Sequence, residues 1–437
     1  MSELAQTGFD RPKYQLVFFR FFVIYFILST AIWSWLGNIP WFPFLNTFDS
    51  AIRESYTHFF NNYIYEVKEE LVPTRGSGDT SMGWATLYAQ LFISLVGCII
   101  WSVLDRKRTH YRWGSLVIRN IVRYYIILFA FIYGIIKIFG LQMPSPSNSY
   151  YATDLGHFSG MRFSWNFIGY SKGYEFFSGL MEALVGVFLL YRRTIVLGAL
   201  LGLGVFTNVF LLNVSYDIPV KIFSFQLLFA CLFICFTNLQ RILNFLLLNK
   251  PVSTDNSWDI PYTKAWFKPA RIVVKSLFVI AFVLYPFYNY YDAYASRSNS
   301  TAPPPFESGF YTVENFVLNG DTIPAAINSD VHWKDLVIDN GNRGSIGLVD
   351  SAFRVRYGRS YFFNYSLDSA SELLTIKRFR NDSVPLFEGT YADLNEKGLR
   401  LDGIYKGQDT LRVDLIWDNR NYQLARKEFN WMLESVP

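Results

Sequence analysis

The chain has 437 residues, of which 51% are hydrophobic, 19% are aromatic and 17% are charged. Because soluble domains carry about 25% charged residues, this composition indicates an integral membrane protein with a soluble part. Residues 1–294 hold 24 basic against 16 acidic side chains, whereas residues 295–437 hold 16 against 19. The basic excess falls in short loops between apolar runs, where membrane topology explains it, so the charge pattern indicates no nucleic-acid partner.

Seven apolar runs are long enough to cross a hydrocarbon layer of about 30 Å as helices. Basic clusters such as Arg106-Lys107-Arg108 and Arg192-Arg193 fall on one side of these runs, which the positive-inside rule makes cytoplasmic. The N-terminus is therefore predicted inside and the C-terminal part outside. The first run lacks a small-residue cleavage site and is interpreted as a retained helix. The predicted spans are residues 14–36, 85–104, 118–140, 174–191, 194–214, 222–239 and 272–290.

Two predicted outer loops, residues 38–83 and 141–173, are long and aromatic. We expect them to pack over the outer mouth of the bundle as short interfacial helices. The string RGSGD at residues 75–79 lacks the Gly-Lys-Ser/Thr ending of a nucleotide loop. It is interpreted as a turn before the second span, with Asp79 or Thr80 at the helix N-terminus.

After the last span, residues 296–305 have the Ser/Pro composition of a linker. The chain then changes to short alternating runs, which predict an antiparallel β-meander of about eight to ten strands, closed or nearly so. Four dipeptides mark its turns: Asn319-Gly320, Asn340-Gly341, Lys397-Gly398 and Lys406-Gly407. The residues predicted to face inward in its last two long runs are Leu399, Leu401, Leu411, Val413 and Leu415.

Glu182 lies in the middle of the fourth span, ten residues from Lys172 and from Arg192. A charge near the bilayer centre costs at least about 2.5 kcal/mol, and such groups usually face a partner inside a bundle. Glu182 is therefore either a candidate proton-handling catalytic group or a structural carboxyl paired with a residue such as Arg123. Ser178 and Gly186, one turn away on either side, would let another helix approach closely.

Lys137 lies about 27 Å beyond Arg119 along its helix, near the predicted outer edge. One hypothesis is a polar cluster at the outer mouth that binds an anionic or quinone-like ligand. The alternative is that Lys137 extends its amine to the interface while Asp217 pairs with Lys221. The residues of the hypothetical ligand site are Arg123, Lys137, Asn213, Asp217 and Lys221, roofed by Trp165 and Tyr170.

The cysteines and histidines indicate little chemistry. Cys231 and Cys235 lie four residues apart on one predicted helix, so two small apolar side chains are a better account than a redox pair. The four histidines show no metal-ligand spacing on a single element, so no metal is predicted.

Two segments resemble the DoxX family of bacterial membrane proteins: residues 123–137, RYYIILFAFIYGIIK, and residues 181–194, MEALVGVFLLYRRT. In that family the first helix begins with an Arg and ends near a Gly-x-x-Lys, and the second opens on a Glu before a basic turn. The matching residues are Arg123, Gly134, Lys137, Glu182, Gly186, Arg192 and Arg193. The whole layout also looks like that of DoxX-like proteins of Bacteroidetes-type bacteria. A weaker likeness is to the transmembrane domain shared with vitamin K-dependent carboxylase.

The resemblance implies a DoxX-like four-helix core at residues 119–240 and a place in the bacterial inner membrane. Around it we expect two further spans with an aromatic loop at 1–118, a cytoplasmic loop and last span at 241–294, a linker at 295–305 and a periplasmic β domain at 306–437. The predicted fold class is thus a polytopic α-helical membrane bundle plus an all-β antiparallel domain. Relatives of this family are associated with quinone-linked thiosulfate oxidation and redox membrane complexes, which makes a quinone the implied cofactor.

Two functions follow from these patterns. The first is a quinone-interacting or redox-associated membrane subunit, which the match at Arg123, Lys137 and Glu182 favours. The second is a non-enzymatic envelope component whose periplasmic β domain binds a partner protein, glycan or lipid. The second gains support because no complete catalytic motif appears in the sequence.

Overall fold

The computed structural model describes residues 13–38, 42–74, 78–252, 258, 265–298, 306–325, 329–350, 352, 358–368, 370–395 and 398–426. Residues 75–77 of the predicted turn, Lys397 and most of the predicted linker lie outside them. The chain divides into two compact units. The helical unit comprises Met1–Gln142 and Gly173–Tyr291, and the barrel unit comprises Met143–Lys172 and Asp292–Pro437.

The helical unit confirms the predicted bundle. Among the described residues, six helices are long and apolar enough to cross a membrane, and the pair Lys221–Thr237 and Leu239–Leu246, bent by 76°, makes a seventh if it is one span. A π-helical turn, Ile280–Leu284, joins the helices Phe267–Val279 and Tyr285–Ser298. The helices are α1 Lys13–Thr30, α2 Phe44–Tyr63, α3 Ser81–Leu104, α4 Arg112–Ile138, α7 Lys172–Leu190, α8 Ile195–Ser215, α9 Lys221–Thr237, α10 Leu239–Leu246, α11 Phe267–Val279 and α12 Tyr285–Ser298, with 3-10 turns at Ile32–Asn38 and Arg192–Thr194.

Helix α4 is the centre of the bundle. In its most apolar window 61% of the residues are buried, against 6% for the last span, Phe267–Ser296. Its buried residues form a continuous core with side chains of α1, α7, α8 and α9. Because most residues in this part of α4 are buried, polar groups there must find partners inside the protein.

Glycines set the closest contact of α4 with α7. A Cβ built on Gly134 would lie 2.8 Å from the backbone oxygen of Gly179, and one on Gly179 would lie 2.6 Å from the backbone oxygen of Gly134. Small residues permit such backbone approach in membranes. The close contact predicted at Gly186 is present, since Gly186 receives the ring of Phe131 of α4, whereas the backbone contact lies at Gly179, next to the predicted Ser178.

The first predicted outer loop contains the 20-residue helix α2, which is longer than a short interfacial helix. Its exposed face is apolar, and its opposite face is polar and turned into the unit. The exposed apolar residues are Phe44, Phe48, Ile52, Phe59 and Tyr63. The polar residues on the opposite face are Asn46, Asp49, Arg53, Thr57 and Asn61. A helix on the surface of a soluble protein has the opposite arrangement, with its polar face exposed and its apolar face buried.

The barrel unit confirms the predicted meander. All neighbouring strands pair antiparallel, and β1 also pairs with β9, which closes eight strands into a barrel with β2 as an extra hairpin strand. The pairing of β1 with β9 shifts register between Val313 and Asn315, which marks a bulge, and the other edge of β1 pairs with β3 at residues 309–312. The strands are β1 Gly309–Leu318, β2 Asp321–Thr322, β3 Trp333–Asp339, β4 Arg343–Leu348, β5 Tyr361–Asp368, β6 Leu373–Lys377, β7 Phe387–Asn395, β8 Gly398–Tyr405 and β9 Asp409–Asp418.

Side chains fill the barrel interior. All five residues predicted to face inward on β8 and β9 are at most 3% exposed. Large rings, including those of Trp333, Phe387 and Tyr405, occupy the rest of the core. At the turns, Asn319 and Lys406 have positive φ and precede glycines with positive φ, as the predicted dipeptides require.

The second predicted outer loop belongs to the barrel unit. It forms α5 Asn148–Tyr151, a 3-10 turn at Leu155–His157 and α6 Gly160–Tyr170. The Ser149 amide and hydroxyl donate to Asp339 at 3.0 and 2.6 Å, and the Asn148 amide donates to the Ile338 carbonyl. The loop is thus hydrogen-bonded to the end of β3, and residues 143–172, which lie within the range 119–240 expected for the four-helix core, belong to the barrel unit.

Candidate functional site

The intramembrane carboxylate has a partner, and it is Lys137. The Lys137 amine forms an ion pair with Glu182 Oε1, and the two side chains are 7% and 3% exposed. The pair lies beside the glycine contact of α4 and α7, since the Cβ of Lys137 is 2.8 Å from a Cβ built on Gly179. One oxygen, Glu182 Oε2, is buried without a hydrogen-bond partner among the described residues.

The expectation that Lys137 extends to the interface is wrong. Helical side chains lean towards the N-terminus of their own helix, and for Lys137 that direction leads back into the bundle. There the buried carboxylate of Glu182 offers an opposite charge in a medium without water. Three of the residues on which the sequence resemblance was based, Gly134, Lys137 and Glu182, therefore lie at one helix contact.

The suggested pairing of Glu182 with Arg123 is also wrong. Arg123 is 4% exposed and donates from Nε to the Leu189 carbonyl at 2.6 Å, at the end of α7. Its guanidinium also lies 5.9 Å from the ring centre of Trp258, whereas that of Arg119 lies 4.5 Å from the same ring. Arg123 lies at the start of the segment that ends in Lys137. Its guanidinium therefore contacts α7 at Leu189, whereas Lys137 contacts α7 at Glu182.

At the predicted outer mouth, Asp217 and Lys221 pair at 2.7 Å, as the alternative interpretation predicted. The Asp217 side chain is 92% exposed. The carboxylate of Asp79 accepts hydrogen bonds from the amides of Lys221 and Ile222, at 2.7 and 3.0 Å, and so caps α9. Thr80 caps α3 by accepting from the Gly83 amide. Asp79, one of the two residues predicted to cap α3, therefore caps α9 instead.

The remaining residues of the hypothetical ligand site divide between the two units. Asn213 is buried and donates weakly to the Val220 carbonyl at 3.5 Å. Trp165 and Tyr170 lie on α6 in the barrel unit, where the Arg162 guanidinium is 5.5 Å from the Trp165 ring. Their predicted role as a roof stays a prediction.

Cys231 and Cys235 are buried and are not joined by a disulfide. Among the described residues, no group of three or more His, Cys, Asp or Glu side chains could hold a metal ion.

A polar chamber of about 960 Å³ lies in the helical unit between α1, α2, α3 and α9. Sequence reasoning missed it, although the polar face of α2 was a signal: its residues recur at helical spacing beside an aromatic face. The chamber is lined by Asp49, Arg53, Glu54, His58, Glu69, Glu70, Thr86, Gln90 and Gln226, together with smaller and apolar residues of the same elements. Three of these, Thr86, Gln90 and Gln226, lie within α3 and α9.

The barrel unit holds a second buried charge cluster, on the outer face of β3 and β4. Asp335 is paired with Arg359 and, at 3.2 Å, with Arg420. Burial alone would raise the pKa of Asp335, but the two guanidiniums outweigh it and hold that pKa below its usual value. Arg359 also donates to Ser345, whose hydroxyl bonds Ser149 of the docked loop at 2.7 Å.

These features define the class: a polytopic helical membrane protein that carries a closed antiparallel β barrel. The chain is similar to an uncharacterised protein, YwoB, of Bacillus subtilis (strain 168), with 37% identity over 82 residues. The matched part is 19% of this chain and 53% of the relative, so the chain spans about half the length of that protein. No family model matches the chain, and no solved structure matches it.

Proposed function

We propose that this protein is a DoxX-like, non-enzymatic component of a bacterial inner membrane whose barrel unit binds an anionic partner in the periplasm. The observation that carries the proposal is a basic and apolar surface at one end of the barrel, formed by the β6–β7 turn and the neighbouring β8–β9 turn. We call it the tip. Its basic residues are Lys377, Arg378, Arg380 and Lys406, and its exposed apolar residues are Phe379 and Val384.

The tip has an ordered backbone and exposed side chains. The Asp382 carboxylate accepts from the Phe379 amide at 2.9 Å, and Lys377 donates to the Asp382 carbonyl at 3.0 Å. Phe379 and Val384 are nevertheless 60% and 55% exposed. Four cations around two exposed apolar side chains, with Asp382 as the acid in the turn, form a surface complementary to anionic groups.

Because side chains fill the barrel interior, a partner must bind on its outside. The turn at Lys406 supports the shape of the tip, since its amide donates to the Leu386 carbonyl at 2.9 Å. A Cβ on Gly407 would lie 2.8 Å from Val384. An acidic protein surface, or a glycan or lipid that carries phosphate, fits this chemistry.

The helical unit supports a structural role for the predicted catalytic carboxylate. Lys137 neutralises Glu182 at the point where α4 and α7 come closest. A buried pair in this position fixes the register of two helices, and each charge is compensated by the other. The DoxX-like pattern is then a packing motif.

A second candidate function is proton handling in a quinone-linked redox complex. It is favoured by Glu182 Oε2, which is buried and has no hydrogen-bond partner among the described residues. An intramembrane carboxyl with one open oxygen could bind a proton there.

Site-specific photo-crosslinking in native membranes tests the first proposal. A crosslinking residue replaces Phe379 or Val384 at the tip, and Ile416 in the control. Ile416 is 43% exposed but pairs with Gly398, at the other end of β8 from the tip. We expect a defined product from the tip positions alone, and its loss when Arg378→Gln and Arg380→Gln are added. Equal products from Ile416, or products indifferent to the charge changes, would contradict the proposal.

The two candidates for Glu182 are separated by exchanging the charges. The variant Lys137→Glu/Glu182→Lys keeps an ion pair, whereas Glu182→Gln keeps the shape and removes the charge. Under the structural role, the exchanged variant folds and complements a gene deletion, whereas Glu182→Gln leaves the Lys137 amine without a countercharge and lowers the folded yield. Under proton handling, the exchanged variant folds but fails to complement the deletion, because no carboxyl remains at position 182.

A further inference from the structure

Two cationic side chains from different helices meet at the last turn of α7. The Nε of Arg123, on α4, donates to the Leu189 carbonyl at 2.6 Å. The amine of Lys275, on α11, donates to the next carbonyl, that of Leu190, at 2.8 Å. Carbonyls at a helix C-terminus lack partners within the helix, and cations stabilise them. This end of α7 precedes the basic turn at Arg192, which the positive-inside rule predicts to be cytoplasmic.

Capping of α7 uses only part of what these two cations can donate. A guanidinium has five N–H donors and an ammonium has three. Hydrogen bonds among the described residues use the Nε of Arg123, its Nη1 at 3.4 Å from Asn120, and one donor of Lys275. In the described part of the chain, neither cation forms an ion pair, and the charges that act on Lys275 are those of Arg123, Arg192 and Arg271. Because all of these are positive, an anion would be attracted here.

A buried indole beside these cations lacks an acceptor. Trp258 is 3% exposed, and its Nε1 has no hydrogen-bond partner among the described residues. The guanidinium carbon of Arg119 lies 4.5 Å from the centre of its ring, and that of Arg123 lies 5.9 Å from it. Guanidiniums only donate hydrogen bonds, so neither can accept from the indole. A buried donor without an acceptor is costly, and an oxygen of a bound anion would remove that cost.

We propose that Arg123, Lys275 and Trp258 bind a phosphate group at the predicted cytoplasmic end of α7. A phosphate carries the charge that compensates the two cations, and its oxygens accept hydrogen bonds from all three side chains. Lys275 is half-buried and forms the outer edge of the site, whereas Arg123 and Trp258 form its buried part. Basic pockets between spans on the cytoplasmic side bind the headgroups of anionic phospholipids, and free phosphate has the same chemistry. This site is independent of the tip.

Thermal unfolding of the full chain tests the proposal and distinguishes the two sources of phosphate. In the lipid arm, phosphatidylglycerol is added in steps to nanodiscs of phosphatidylcholine, and we expect a saturable rise in the melting temperature. In the free-ion arm, the protein in detergent should show such a rise with inorganic phosphate and not with sodium chloride at equal ionic strength. A saturable rise in either arm supports the proposal. No saturable rise in either arm would overturn it.

The variant Trp258→Phe separates binding from packing, because it keeps an aromatic ring and removes the N–H group. Without added phosphatidylglycerol or phosphate, its melting temperature should equal or exceed that of the unchanged protein, since a buried donor without a partner is lost. With either probe, the half-saturating amount should rise about tenfold, the loss of one hydrogen bond to a charged group. A lower melting temperature with unchanged half-saturation would mean that Trp258 only packs.

A second variant tests the outer edge of the site. Lys275→Gln should also raise the half-saturating amount about tenfold, because it removes a charge-assisted hydrogen bond. The matched control is Lys107→Gln, which removes an exposed positive charge from another predicted cytoplasmic loop and should leave binding unchanged. Equal weakening by both variants would show that general surface charge attracts the phosphate. Unaltered binding by both Trp258→Phe and Lys275→Gln would show that the phosphate binds elsewhere, and either result would overturn the proposal.

Discussion

The two units bury charge in different ways. In the helical unit, Lys137 and Glu182 meet alone, and one carboxylate oxygen is left without a partner among the described residues. In the barrel unit, Asp335 contacts both Arg359 and Arg420, and Arg359 also bonds Ser345. The comparison teaches that a buried pair depends wholly on its two members, whereas a network can lose one contact and keep others.

The largest effect is therefore expected in the helical unit. Lys137→Met should lower the free energy of unfolding by about 3–5 kcal/mol, because it leaves the Glu182 carboxylate buried and uncompensated. Lys137→Met/Glu182→Leu should recover most of that loss, since neither variant side chain is charged. Thermal melts and folded yield in detergent measure both.

Lys68→Met, an exposed change in the segment after α2, is the control for the loss of a lysine. If Lys137→Met melts like this control, the pair does not hold α4 against α7. If the double variant is no more stable than Lys137→Met, the loss of stability comes from the changed packing volume and not from the unpaired charge.

In the barrel unit, Asp335→Asn should cost less, about 2–3 kcal/mol, although Asp335 is as deeply buried as Glu182. Arg359 keeps its bond to Ser345, and Arg420 keeps its ion pair with Asp418. Asp402→Asn breaks an exposed pair with Arg412 and should stay within about 1 kcal/mol. Melting followed by the fluorescence of the buried Trp333 compares the two variants. A larger loss from Asp402→Asn would contradict the network.

The barrel could be predicted from sequence because its determinants are local. Alternation places Leu399 and Leu401 inside, and the turns at Asn319-Gly320 and Lys406-Gly407 need backbone that glycine and few other residues adopt. The spans were predictable for a similar reason, since hydrocarbon thickness sets their length.

The site was less predictable because it depends on which helix faces meet. Residues 137 and 182 are 45 positions apart, and the close packing of α4 on α7 at Gly134 and Gly179 brings them together. The docking of residues 143–172 on the barrel rests on contacts about 190 positions apart, such as that of Ser149 with Asp339. Hydropathy alone assigned that loop to the bundle.

Acid should increase the difference in stability between the two units. His332 is buried in the barrel unit with its ring centre 4.8 Å from that of Phe316, and burial lowers its pKa. The unfolded chain, with a His pKa of about 6.5, then binds the proton more readily than the folded one. Stability is thus complete above about pH 6.5 and falls below it, by at most about 1.4 kcal/mol per pH unit for one proton.

Melts of the barrel unit between pH 8 and pH 5 measure this slope, and His332→Phe should flatten it. The helical unit, followed in the same samples by a label on an exposed cysteine introduced at Lys68, should change less over this range. A slope that survives His332→Phe would assign the proton to another group.

The smallest changes in stability are expected from substitutions of two aspartates at the N-terminal end of α9. Asp79→Ala removes the acceptor of the Lys221 and Ile222 amides and should cost about 0.5–2 kcal/mol, as for other helix caps. Asp217→Ala removes a carboxylate that is 92% exposed and bonded only to the flexible amine of Lys221, so we expect no measurable change. Both variants remove one negative charge beside Lys221, so any difference between them reports the backbone amides. Hydrogen exchange at these two amides should accelerate in Asp79→Ala alone. Equal acceleration in both variants would mean that charge near the start of α9, and not the cap, stabilises the helix.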